Sequence, residues 1–375
     1  MTSIELLVIL LLLVMAVPDI CAWLGRPSLV YPAFVCFGLM VGPLVRPEVG
    51  NMIREAGEIG FILLLFEVGL EIDLPNWREL RQPGLYVLRW VLPQYPLLLL
   101  LSCYVGLPWL ESFIVTAALT ACSVGMAHLA WKNYPGLGPE TRPLVLQVMV
   151  LLEVLGVILL AAETSALGHT PTWLMAAKLA GMALVIYACS RVAAHATKLL
   201  QLVLKRTTHW RLHFVTLMLL ASCAVGERFG LSGPKTAFFI GLFSSRVEHD
   251  GRKLEDYLAP ISRRFLIPLF FTALGTQVPL AAVFSRIALL ALVAGGLIIA
   301  YRQMLYRRFA RLGGEDNTYL LFCPNFTMVA LAASSLLAVP NVPQEYATWL
   351  LLTGLMITLV SLVALPAKAA DTGEK

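Results

Sequence analysis

The chain has 375 residues, of which 59% are hydrophobic and only 14% charged, against a charged share of about 25% in soluble globular domains. This excludes a water-soluble enzyme or binding module and predicts a polytopic membrane protein. The net charge of +5 comes from basic residues in loops beside apolar stretches, where they orient a membrane protein, so no nucleic-acid partner follows from it.

The first apolar run, 6–24, follows Met-Thr-Ser-Ile-Glu, which carries an acid where a secretory signal has a basic region, so it is expected to remain as a transmembrane helix. Asp19 follows Pro18 in this run and marks a kink. At about 20 residues per span, further segments are predicted at 28–45, 56–72, 84–106, 109–131, 143–163, 172–194, 212–229, 231–245, 265–282, 284–306, 317–339 and 344–366. The expected fold class is therefore an all-α polytopic membrane protein of about thirteen transmembrane helices. If the segments alternate in direction, twenty Lys and Arg fall on one side and only Arg46, Arg54, Arg228 and Arg286 on the other. That asymmetry puts the N-terminus outside and the C-terminus in the cytoplasm of a cell-membrane protein. Arg89, Lys178, Lys235 and Arg302 lie within spans, the first three near helix ends, where such side chains snorkel to water. All seven cysteines sit in apolar runs without CxxC or Cys/His spacing, so neither disulfides nor zinc are expected.

The segment Pro143 to Glu163 holds one carboxylate, Glu153, near its centre. An ionised side chain at the bilayer midplane costs roughly 2.5–3.5 kcal/mol, so such a residue faces the bundle interior and serves either transport or helix locking. Glu67 also falls within a span and reads as a vestibule residue, while His128 reads either as a pH sensor or as a satisfied interfacial histidine.

A repeat with an offset of a little over 200 residues is visible. Pro32-Ala33-Phe34, Gly38-Leu39, Phe61 and Gly69 are echoed by Pro234, Ala237-Phe238, Gly241-Leu242, Phe265 and Gly275. Seven spans separate the copies, an odd number, so they cross the membrane in opposite directions, which is a transporter architecture. The same offset sets Thr120-Ala-Cys-Ser-Val-Gly125 against Cys323-Pro324-Asn325-Phe326-Thr327. Corresponding polar interruptions in apolar spans mark a binding site, because unwound backbone offers free carbonyl and amide groups.

The run Ala56 to Asp73 with Gly38-Leu-Met-Val-Gly42-Pro43, and the stretches Gly230-Leu-Ser232, Ala237-Phe238, Gly241-Leu242 and Phe265 through Gly275, resemble the cation:proton antiporter 2 family of sodium/proton exchangers. The resemblance spans 28–366. It implies an inverted-repeat antiporter fold with two broken crossing helices, a dimerisation part at 1–80 and 212–282, a core transport part at 84–163 and 284–366, and a linking helix at 172–194. By position, Glu153 matches the family's ion- and proton-binding aspartate. Arg302 matches a basic residue followed, as here by Arg311, nine positions on. Two departures stand out: Leu152 precedes the acid where the family carries a polar residue, and Pro324-Asn325-Phe326 replaces a Gly-Glu-Phe motif. No dinucleotide-binding domain is expected, since the chain ends shortly after Pro366.

A buried carboxylate binds either a proton or a hard monovalent cation. Glu153 is the expected ion- and proton-binding residue, and Thr120, Ser123, Asn325 and Thr327 supply further oxygens, with ordinary helix-helix hydrogen bonding as the alternative for each. Arg302 is a permanent countercharge, a partner of the broken-helix ends, or a snorkelling residue. The expected activity is exchange of Na⁺ or K⁺ for H⁺ by a homodimer, without a cofactor beyond the transported ions. A transport-inactive scaffold and a carrier of small organic anions are the competing readings. No enzyme motif is present.

Overall fold

The structure is a computed structural model that describes residues 3–71, 81–167, 211–228, 233–244, 248–249, 252–253, 258, 262–309, 311–312, 315–337 and 342–365. Helices α1 (Ser3–Trp23), α2 (Val30–Val41), α3 (Pro47–Glu71), α4 (Arg81–Val91), α5 (Gln94–Val105), α6 (Trp109–Thr120), α7 (Val124–Asn133) and α8 (Thr141–Leu167) lead in chain order. They are followed by α9 (Arg211–Arg228), α10 (Gly233–Ser244), an antiparallel pair of two-residue strands, β1 (Glu248–His249) and β2 (Arg252–Lys253), and a π-turn at Ser262–Leu266. Helices α11 (Ile267–Thr276), α12 (Leu280–Val283), α13 (Arg286–Phe309), α14 (Phe326–Leu337) and α15 (Gln344–Ala364) complete the described fold. Each predicted segment contains helix except 172–194, which lies outside the described residues together with Lys178. Among the described residues, seven stretches are long and apolar enough to cross a membrane.

Among the described residues, three predicted spans are interrupted in mid-span, and that at 265–282 breaks near its end, at 277–279. The segments at 109–131 and 317–339 break in mid-span as their polar residues suggest, whereas that at 84–106 was expected to be continuous and is divided at Leu92–Pro93. Proline has no N–H to donate to the preceding turn. At this break Trp90 O accepts from Gln94 Nε2 at 2.6 Å and Pro93 O accepts from Tyr301 Oη at 2.8 Å.

The chain divides into two compact units. The first comprises 1–14, 45–75 and 170–273. There α3 packs along α10 and against the π-turn, around a core that includes Leu63, Phe66, Leu70, Leu219, Cys223 and Ala237. Phe61 stacks on Phe270 with ring centroids 4.5 Å apart. Glu67, read from sequence as a vestibule residue, is buried in this unit, where it accepts from Arg263 Nε at 2.8 Å and from Ser262 Oγ.

The second unit comprises 15–44, 76–169 and 274–375. In it α6 packs on α5, α8 and α14, and α15 packs on α13 and α14. Arg26 closes the C-terminal end of α15, its Nη1 donating to Leu362 O at 3.1 Å and Leu365 O at 3.0 Å.

The glycines of the sequence repeat make matching contacts. In the first unit a Cβ on Gly241 would stand 2.2 Å from Phe66 O and 3.0 Å from the Cα of Gly69. In the second, a Cβ on Gly275 would stand 2.1 Å from Val35 O and 2.9 Å from the Cα of Gly38. Gly241 is the repeat counterpart of Gly38 and Gly275 that of Gly69, so the same glycine pair is built twice with the copies exchanged. Any side chain at Gly241 or Gly275 would force the backbones apart.

Candidate ion site at the crossing of two broken helices

The site lies wholly in the second unit, where the spans 109–128 and 318–337 are interrupted. Most residues of both are buried, whereas most of Arg286–Phe309 is not, so these two helices form the interior and not the lipid-facing surface. The first breaks over Ala121, Cys122 and Ser123, with Ala121 extended at φ −69°, ψ 163°. The second runs as a 3₁₀ turn through Thr318–Phe322, opens over Cys323, Pro324 and Asn325, and resumes as α14. The leading half of each packs on the trailing half of the other, α14 beside α6 and α7 beside the 3₁₀ turn, so the two cross antiparallel.

The crossing is held by its own backbone and small side chains. Ser123 N donates to Pro324 O at 2.6 Å, Cys122 Sγ to Leu321 O at 3.5 Å, and Ser123 Oγ lies 2.5 Å from Thr327 Oγ1. Serine at the N-cap normally satisfies the first amide groups of a helix with its own hydroxyl. Here that hydroxyl is engaged by Thr327, and no side chain of the N-cap residue caps α7. Glu153 does the capping instead. Its Oε2 accepts from Val124 N at 2.9 Å, which sets a fully buried carboxylate on the positive end of α7.

The opposite end of the break carries the opposite charge. Arg302 on α13 is fully buried, and its Nη2 donates to Leu119 O in the last turn of α6. Its Nε donates to Gln94 Oε1 at 2.8 Å, and its guanidinium lies 6.0 Å from the Trp90 ring centre. Arg302 therefore balances a broken-helix end and does not snorkel to water. Asn325 Nδ2 reaches the same Leu119 carbonyl at 3.0 Å, while Asn325 Oδ1 is buried without a hydrogen-bond partner among the described residues.

Of the residues singled out from sequence, Glu153, Ser123, Asn325 and Thr327 are all buried at the crossing. Thr120 is buried beside them, but its hydroxyl turns back onto α6, donating to Thr116 O at 2.9 Å. His128 stacks on Trp131 at 5.3 Å. Two buried residues at the site escaped the sequence reading: Gln94, which holds Arg302, and Thr358 on α15, whose Oγ1 accepts from Asn325 N at 3.3 Å. Gln94 directly follows Pro93, and a polar residue beside a mid-span proline was the available signal. Thr358 had none, since threonine is common in apolar helices.

Two antiparallel helices, each broken in mid-span, with a buried acid on one side of the first break and a buried guanidinium on the other, define an inverted-repeat membrane transporter. The transmembrane sodium/hydrogen exchanger family matches residues 8–367, and the chain belongs to it. The probable Na⁺/H⁺ antiporter GerT of Bacillus cereus is 25% identical over 287 residues, 75% of each chain. The Na⁺/H⁺-K⁺ antiporter GerN of the same organism is 24% identical over 276 residues, 72% of this chain and 70% of its own. In fold, the chain is similar to the sodium proton antiporter MjNhaP1 from Methanocaldococcus jannaschii, with a TM-score of 0.65 at 16% identity over 96% of this chain and 95% of that one.

Proposed function

We propose that this chain is a secondary antiporter that exchanges a monovalent cation for H⁺ across the membrane, with Glu153 as the group that holds one or the other. The observation that carries the assignment to Glu153 is its buried carboxylate, bound to the first amide of α7 where two unwound segments cross. A carboxylate in a desolvated site releases its proton only as a cation or donors replace it, so proton and cation compete for one group. Ser123 Oγ, Thr327 Oγ1, Asn325 Oδ1 and nearby carbonyls would complete the cation's oxygen shell; Thr120 would take part only by leaving its bond to α6. In this reading Arg302 is no ligand: it holds the end of α6 and keeps a fixed positive charge in the core. The names of the relatives support Na⁺, and that of GerN adds K⁺ to the cations worth testing.

Fluorescence dequenching in inverted vesicles with a preset pH gradient tests the activity. Addition of Na⁺ or K⁺ should dissipate the gradient, and absence of any response to Na⁺, K⁺ or Li⁺ would favour the transport-inactive scaffold. One exchanging carboxylate makes the cycle one-for-one, so the initial rate should not change when valinomycin imposes a membrane potential. A rate that follows the potential would overturn that stoichiometry.

A further inference from the structure

Helix α8 carries a second charged residue that touches α7, at the end away from the ion site. Arg142 lies in the first turn of α8, and its Nη1 donates to Trp131 O at 2.8 Å and Lys132 O at 3.1 Å. Its Nη2 donates to Tyr134 O at 2.8 Å and Leu137 O at 3.5 Å. The guanidinium carbon lies 5.8 Å from the Trp131 ring centre, and Trp131 Nε1 returns a bond to Arg142 O at 3.1 Å. Trp131 and Lys132 belong to the last turn of α7, whose carbonyls have no donor within the helix.

The spacing fits a bracket. From Arg142 to Glu153 α8 rises about 16 Å, and the ten residues of α7 are about 15 Å long. One helix thus grips the other at both ends, with a carboxylate on the positive N-terminus and a guanidinium on the negative C-terminus, both favourable to the helix dipole. A helix this short moves as a rod, so its C-terminal seat fixes where its first amide points.

We propose that Arg142 is a positioning residue of the ion site: by holding the C-terminal end of α7 it keeps the Val124 amide on the Glu153 carboxylate. The inference rests on the reading of Glu153 as the exchanging group. It is tested by cation-dependent H⁺ exchange in proteoliposomes, comparing wild type with Arg142→Gln, Arg142→Lys and Trp131→Phe. Arg142→Gln should raise the apparent KM for the cation roughly tenfold while kcat changes by less than about twofold, because a misplaced α7 weakens binding before transport. Arg142→Lys should recover part of that loss, since an ammonium group lacks the planar fork that spans four carbonyls. Trp131→Phe, which removes one bond of the bracket, should raise KM by a smaller factor. A role confined to folding would reduce the amount of active protein and leave the KM of the remainder unchanged. A folded Arg142→Gln protein with wild-type KM overturns the inference. Should that variant fail to fold, wild-type KM in both Arg142→Lys and Trp131→Phe overturns it equally. Absence of exchange in the wild type would overturn the function and this inference together, whereas normal exchange with an unmoved KM overturns the inference alone.

Discussion

Glu153 serves two ends with one carboxylate, capping the N-terminus of a helix whose own N-cap side chain does not cap it and, in the proposed cycle, holding the proton or the cation. Glu153→Gln keeps the shape and an oxygen for the Val124 amide but has no proton to release. It should abolish exchange while the melting temperature in detergent stays within a few degrees of wild type, and a folded, wild-type-active Gln variant would end the assignment. Glu153→Asp withdraws the carboxylate by one methylene, so partial exchange with altered cation preference is expected in the same assay. Because the two ligands compete, apparent cation affinity should worsen about tenfold per pH unit below the site's own pKa and level off above it. Arg302 is fixed by Gln94 and Leu119 O, and its removal strands Gln94 Oε1 beside an emptied volume, leaving Leu119 O with Asn325 Nδ2 alone. Arg302→Gln should cost about 2–4 kcal/mol of stability, read as a lower unfolding midpoint, and an unchanged midpoint would count against the role assigned to it.

At the scale of elements, the breaks are built from ordinary chemistry. Pro324 supplies no N–H, and its carbonyl, released from any helix, accepts from Ser123 N. Helix α8 approaches the first break through Gly156, where a Cβ would lie 2.6 Å from that of Ala121 and 3.1 Å from Met328 Cε. Gly156→Ala should therefore push α8 off both broken helices at a cost of about 1–3 kcal/mol, measurable as a drop in thermal stability with reduced exchange. Wild-type stability in that variant would show that the break relaxes without penalty. The interruption at Pro93 belongs to the same system, because it sets Gln94 where it holds Arg302.

For the whole molecule, orientation and assembly are proposals. The charge asymmetry of twenty against four puts the N-terminus outside and the C-terminus in the cytoplasm, and an engineered cysteine at Lys375 should react only with reagents that reach the cytoplasmic face. Labelling from outside would reverse the topology. A homodimer is proposed on the family resemblance alone. The spacing Gly38-x-x-x-Gly42 permits close helix approach, but it is occupied within the chain, with Gly38 against Gly275 and Gly42 against Thr276. Native mass measurement in mild detergent should give twice the 41.1 kDa chain mass, and monomer alone would argue against assembly.

Much of this was legible in the sequence for reasons that are local. Apolar runs long enough for a bilayer, a lone acid at the centre of one of them, and polar interruptions at equivalent positions of two others are properties of short stretches, and the lipid environment leaves few structures for them to adopt. What those stretches meet was not legible. That Glu153 would take the amide of Val124, that Arg302 would turn from water to the end of α6, that Gln94 would hold it and Arg142 would seat α7 all depend on side chains from distant helices. Which orphan carbonyl or amide of a broken helix meets which distant side chain is set by how the helices cross, and only the tertiary structure decides that.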